Sequence, residues 1–199
     1  MIRRHPLLMV AALLSLTATS LLAQHPQERN GLWLALGAGY GSAGVSCEKC
    51  DVPDRPTGIT GFLKIGGTIN HQVLLGGEID VFSSSTDLTI TPLPPRSVFT
   101  GNLSAAIYYY PIRKAGLFLK GGAGLGTFSE SGNGSTLRGT GFGLLAGIGY
   151  DIRVGWTFSI TPVIDAWYGH PGSLSQNGTP FYTEFNYNVI SAGVGITFH

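Results

Sequence analysis

The segment Thr140-Gly141-Phe142-Gly143-Leu144-Leu145-Ala146-Gly147-Ile148-Gly149-Tyr150-Asp151-Ile152 decides how the chain is read. Thr140, Phe142, Leu144, Ala146, Ile148, Tyr150 and Ile152 share one face of an extended strand. Gly141, Gly143, Gly147, Gly149 and Asp151 lie on the other. A period of two marks a strand with unlike faces. Glycine at this density costs a helix ~1 kcal/mol per site, which argues against a helix here. The segment is also about twice the ~5–6 residues of an average strand.

Working outward, the same alternation recurs seven more times. The expected strands are Gly31–Gly41, Gly58–Asn70, Val73–Ser83, Val98–Tyr110 and Leu117–Phe128 before it, and Trp156–Tyr168 and about Glu184–Phe198 after it. Each runs 11 to 15 residues. One face carries residues such as Leu36, Leu63, Ile79, Leu103, Leu125, Ile164 and Val194. The opposite face carries Thr60, Lys64, Glu78, Asn102, Lys120, Thr161 and glycines. A strand that crosses a bilayer at a ~45° tilt needs ~9–11 residues. An apolar face turned to lipid and a polar face turned inward is the arrangement of a transmembrane barrel.

The links alternate in length. Those at about 42–57, 84–97, 129–139 and 169–183 read as long loops; those at about 71–72, 111–116 and 153–155 read as tight turns. Long loops outside and short turns in the periplasm place both termini on the periplasmic side. Aromatic residues on the apolar face fall near strand ends: Tyr40, Phe99, Phe142 and Tyr168 at one end, Tyr109, Tyr150, Trp156, Phe158 and Phe198 at the other. Amphipathic rings gather at the two membrane interfaces.

Composition agrees. Of 199 residues 30 are Gly, and only 12% are charged, half the usual share. Disorder needs low hydrophobicity and high charge, and is excluded. Nucleic-acid binding needs a basic patch, which is missing. Arg3 and Arg4 precede an apolar run from Leu7 to Leu16 and small residues to Ala23, the pattern of a secretory signal peptide over residues 1–23. Residues 24–30 then form a short periplasmic segment, and 31–199 the barrel domain. Removing the leader leaves ten Lys+Arg against eleven Asp+Glu, a net charge of −1.

On these features the chain resembles the small eight-stranded outer-membrane barrels, the OmpA transmembrane domain and OmpX group. The segment Ser191-Ala192-Gly193-Val194-Gly195-Ile196-Thr197-Phe198 is similar to that class's assembly signal, with Ser191, Gly193, Ile196 and Phe198 at its key positions. His199 departs from it by making the aromatic residue penultimate. The resemblance implies an all-β, antiparallel up-and-down barrel in the outer membrane. It implies insertion by the outer-membrane assembly machinery, contact with outer-membrane lipid and a monomeric state. No peptidoglycan-binding domain is expected, so a cell-wall tether is not carried over.

An eight-stranded barrel has a lumen just wide enough for side chains to fill. Lys64, Glu78, Asp80, Lys120, Asp151 and Asp165 point inward on this reading. The tight turn after Asn70 sets Lys64 level with Glu78 and Asp80, and Lys120 is expected near Asp151. Buried charges must be paired or hydrated. A structural network plugging the lumen is one reading; an ion gate is the other, since inward glycines leave room for water.

Other chemistry is thin. Cys47-Glu48-Lys49-Cys50 in the first outer loop is expected to be a disulfide, given an oxidising compartment. His5, His25, His71, His170 and His199 show no metal-ligand spacing, and no cofactor motif appears. His170, Ser173 and Glu184 near the last loop resemble in type the residues of lipid A deacylases, but the segment departs from that family's His-x-Ser-Asn pattern, and no enzyme is expected. Gly31-Leu32-Trp33 is similar to the G-x-W of lipocalins, whose barrels place the apolar face inside. The expected function is a structural or surface-interaction role with loops open to an unknown extracellular ligand. The alternatives are a narrow ion channel, then a lipid-modifying enzyme or a lipocalin-like carrier.

Overall fold

The computed structural model describes residues 29–47, 55–86, 96–132, 135–176 and 179–199. The expected signal peptide lies outside them. The strands are β1 (Leu32–Ser46), β2 (Thr57–Asn70), β3 (Val73–Thr86), β4 (Arg96–Tyr109), β5 (Leu117–Gly132), β6 (Ser135–Tyr150), a two-residue β7 (Ile152–Arg153), β8 (Phe158–Gln176) and β9 (Thr179–Phe198). Antiparallel pairing runs from β1 through to β6, β6 pairs β8, β8 pairs both the short β7 and β9, and β9 returns to β1, so the eight long strands form a closed ring. Closure leaves no unpaired edge, which a bilayer demands because its core offers backbone groups no water.

The register fixes which face is which. Leu36 of β1 lies between Leu63 of β2 and Ile196 of β9. Ile79 of β3 lies between Leu63 and Leu103. These side chains are outside: Ile59 is 68% exposed and Leu103 52%, whereas Glu78 and Asp80 are at most 1% exposed. An aliphatic exterior around a charged interior is the inverse of a water-soluble barrel. The lipocalin alternative fails on this point. The interface aromatics also face outward, with Tyr40 and Phe99 at the end far from the termini and Tyr109, Trp156 and Phe198 at the terminal end.

Two expected loops prove to be paired strand. The loop at about 129–139 is the upper part of the β5–β6 hairpin, whose pairing reaches Gly132↔Ser135. The loop at about 169–183 belongs to β8 and β9, paired up to Gln176↔Thr179 through several bulges. Here the outward face turns polar, so the alternation fades while the backbone ladder continues. At 19 and 20 residues, β8 and β9 are about twice the length needed to span.

Candidate functional site in the barrel lumen

The lumen is built in three layers. In the middle one, Lys64 (β2), Glu78 and Asp80 (β3), Lys120 (β5) and Asp165 (β8) converge. Lys64 and Glu78 are cross-strand partners, with Nζ 3.3 Å from Oε1. Lys120 Nζ donates to Glu78 and lies 2.8 Å from Asp165 Oδ1; Lys64 is 4.0 Å from Asp165 Oδ2. Tyr108 donates to Glu78 Oε2 at 2.6 Å. Each carboxylate that meets an ammonium thus meets both, and direct pairing is what makes burial of such charges tolerable.

Lys120 does not pair with Asp151, contrary to the sequence expectation. Its cross-strand partner is Gly147, whose other neighbour is Asp165. A Cβ on Gly147 would come within 2.2 Å of Asp165 Oδ1 and 2.5 Å of Lys120 Cε. The missing side chain is what lets the ion pair form across β6. Asp151 lies four residues further toward the terminal end, on the order of 13 Å at ~3.3 Å per residue. There its carboxylate accepts from Tyr110 and Thr161, both at 2.7 Å.

That terminal layer contains a group that lies outside the alternating segments of the sequence. Arg29, just before β1, is 1% exposed. Its guanidinium lies 3.6 Å from the Tyr110 ring centroid and donates to the carbonyls of Arg113 and Ala115 at 3.2 and 2.7 Å. Trp33, Tyr108 and Phe118 stack edge-on beside it. A cavity of about 10 Å³ borders Lys64, Tyr108, Tyr110 and Asp151, room for about one water. His199 closes the same end, its Nε2 3.3 Å from Ser159 Oγ and 4.0 Å from Asp151. Burial pushes its imidazole down to about 4, against the pull of Asp151, so it is neutral at pH 7.

In the third layer, toward the far end, Phe128, Phe185 and Tyr187 cluster. Tyr187 reaches from β9 to β4, where its hydroxyl donates to the Gly101 carbonyl at 2.8 Å. It crosses bare backbone: a Cβ on Gly169 would meet its ring at 2.2 Å, and one on Gly126 its hydroxyl at 2.8 Å. Phe62 lies over Gly37 and Gly195, and Phe118 over Gly149, in the same way. These inward glycines hold aromatic rings.

Elsewhere the expected residues separate. Cys47 is disulfide-bonded, and Cys50 lies outside the described residues. His170 Nδ1 contacts Asn186 Oδ1, which also accepts from Tyr168. Among the described residues His170 makes no hydrogen bond to Ser173 or Glu184. Ser191, Gly193, Ile196 and Phe198 lie on β9, between β1 and β8. Ser191 faces inward, and Ile196 and Phe198 face outward.

An outer-membrane barrel domain model matches residues 9–198, almost the whole chain. The chain belongs to the outer membrane protein beta-barrel domain family. Solved structures of similar shape share little sequence with it. Ail, the attachment invasion locus protein of Yersinia pestis, solved in complex with the heparin analogue sucrose octasulfate, is 16% identical with a TM-score of 0.54, covering 85% of this chain and 99% of its own. Neisserial surface protein A is 16% identical with a TM-score of 0.51, covering 84% and 97%. OprG from Pseudomonas aeruginosa is 13% identical with a TM-score of 0.51, covering 87% and 98%. No curated protein sequence matches. At such identities the likeness is one of fold. Together with the family it makes this an outer-membrane barrel protein.

Proposed function

We propose that the protein is a closed, non-conducting barrel that serves the outer membrane as a structural element and presents its long hairpins to the outside. One observation carries this reading: the Glu78-centred ion-pair layer, packed between aromatic layers that stand on glycine backbone. A diffusing ion would have to displace buried, paired charges, which is costly. In this reading both termini are periplasmic. The β5–β6 and β8–β9 hairpins then rise above the bilayer, where connecting segments carry recognition. The disulfide pairs Cys47 with Cys50 and braces the first outer loop. Ser191, Gly193, Ile196 and Phe198 present the last strand to the assembly machinery, and the barrel stands alone in lipid as a monomer. No catalytic role is assigned.

Planar-bilayer recording of the refolded mature chain tests the closed lumen. The expected trace stays at the lipid baseline in neutral salt. Regular conductance steps would overturn the plug in favour of a narrow channel.

A further inference from the structure

The lumen layer is not balanced in charge. Lys64 and Lys120 face three carboxylates, Glu78, Asp80 and Asp165, which each place an oxygen within 4.8 Å of the others. All five side chains are buried. Both ammoniums are committed to Glu78 and Asp165. Asp80 receives neither, and its Oδ2 has no hydrogen-bond partner although the residue is 1% exposed.

The hydrogen bonds of the polar side chains next to Asp80 go elsewhere. Its cross-strand partners are Phe62 on β2 and Asn102 on β4. Asn102 Nδ2 donates to the Leu144 carbonyl at 3.0 Å, and Ser104 donates to Asn102 Oδ1 at 2.7 Å. Tyr108 donates to Glu78. The titratable groups facing Asp80 are therefore Lys64 on β2, Glu78 on its own strand, Tyr108 on β4, Lys120 on β5 and Asp165 on β8, and two of these are further carboxylates.

We propose that the lumen cluster is a binding site for one proton, held on Asp80 at neutral pH. A proton removes the single excess negative charge and gives Asp80 an O–H that can point at the neighbouring carboxylates. A bound divalent cation fits less well. Calcium takes 6–8 oxygen ligands and magnesium an octahedron, whereas here two ammoniums already flank the same carboxylates. Strand carbonyls on either side are engaged in the ladder. The inference rests on the sealed lumen proposed above, because water reaching Asp80 would solvate its charged form.

Infrared spectroscopy of the refolded mature chain in vesicles reads the proton directly. The expected result is a protonated-carboxyl C=O band at neutral pH, with the intensity of one group per chain. It is lost in Asp80→Asn, whose urea midpoint stays close to that of the unaltered protein. Absence of the band, or its persistence in Asp80→Asn, would overturn the assignment. A calcium or sodium dependence of the unfolding midpoint that Asp80→Asn abolishes would overturn it in favour of a cation. Should Asp80→Asn fail to refold, ¹³C NMR of carboxyl-labelled aspartate in the unaltered protein decides, since one carboxyl carbon must resonate as the acid at pH 7. The parent reading fails separately: a non-conducting barrel without the band sinks only the proton, whereas conductance steps sink the sealed lumen.

Discussion

Lys120→Met lowers the stability of the refolded barrel by about 3–5 kcal/mol, the cost of stripping a buried ion pair of one partner. Methionine keeps most of the volume, so packing changes little and the loss is electrostatic. Lys120 meets Glu78 and Asp165 at once. Without it, three buried carboxylates face Lys64 alone, and Lys64 reaches Asp165 only at 4.0 Å. Urea unfolding in lipid vesicles, followed by tryptophan emission, shows the midpoint falling well below that of the unaltered protein. An unchanged midpoint would mean that the lumen charges are hydrated and uncoupled.

Gly124→Val prevents the barrel from closing. Gly124 sits on the inward face of β5 opposite Ser104. A Cβ there would lie 1.9 Å from the Leu103 carbonyl oxygen and 2.8 Å from the Ser104 Cα. Both are backbone atoms of the neighbouring strand, held by the β4–β5 ladder, so the clash cannot be relieved by a rotamer change. The expected result is a complete loss of the faster-migrating folded band on a heat-modifiability gel. Gly77→Ala is the control. A Cβ at that position meets nothing within 4 Å, and the variant folds.

The contrast between these two glycines shows what was legible in the sequence. Alternation along β6 and its counterparts reveals the strand count, the closed ring and the outward identity of Leu36, Ile79 and Ile164, because lipid imposes one rule on every outward position. It also lists Lys64, Glu78, Asp80, Lys120 and Asp165 as inward. It does not tell which inward charges meet. The lumen is narrow enough for side chains to pass over a bare strand, so Lys120 finds Asp165 across Gly147 and leaves Asp151 to Tyr110 and Thr161. Tyr187 crosses to Gly101 by the same means. Arg29 was illegible for another reason: it precedes the first periodic segment, and only the closed barrel supplies the ring and carbonyls that receive it. The upper parts of β5, β6, β8 and β9 do not show as strand in the sequence because the outward face turns polar there and turn formers and bulges interrupt the alternation.

The proposed barrel sets an aliphatic face in lipid around a sealed lumen, and the chain carries its own probes. It has three tryptophans. Trp156 is 83% exposed on the outside, while Trp33 and Trp167 are 4% and 3% exposed on the inward face. In the Trp156→Phe variant, refolded into vesicles, emission comes from the two inward rings alone. Neither aqueous iodide nor brominated acyl chains are expected to quench it, whereas brominated lipid quenches the unaltered protein through Trp156. Iodide quenching of the variant would show an open, watered lumen, and quenching of the variant by brominated lipid would show that the faces had been assigned the wrong way round.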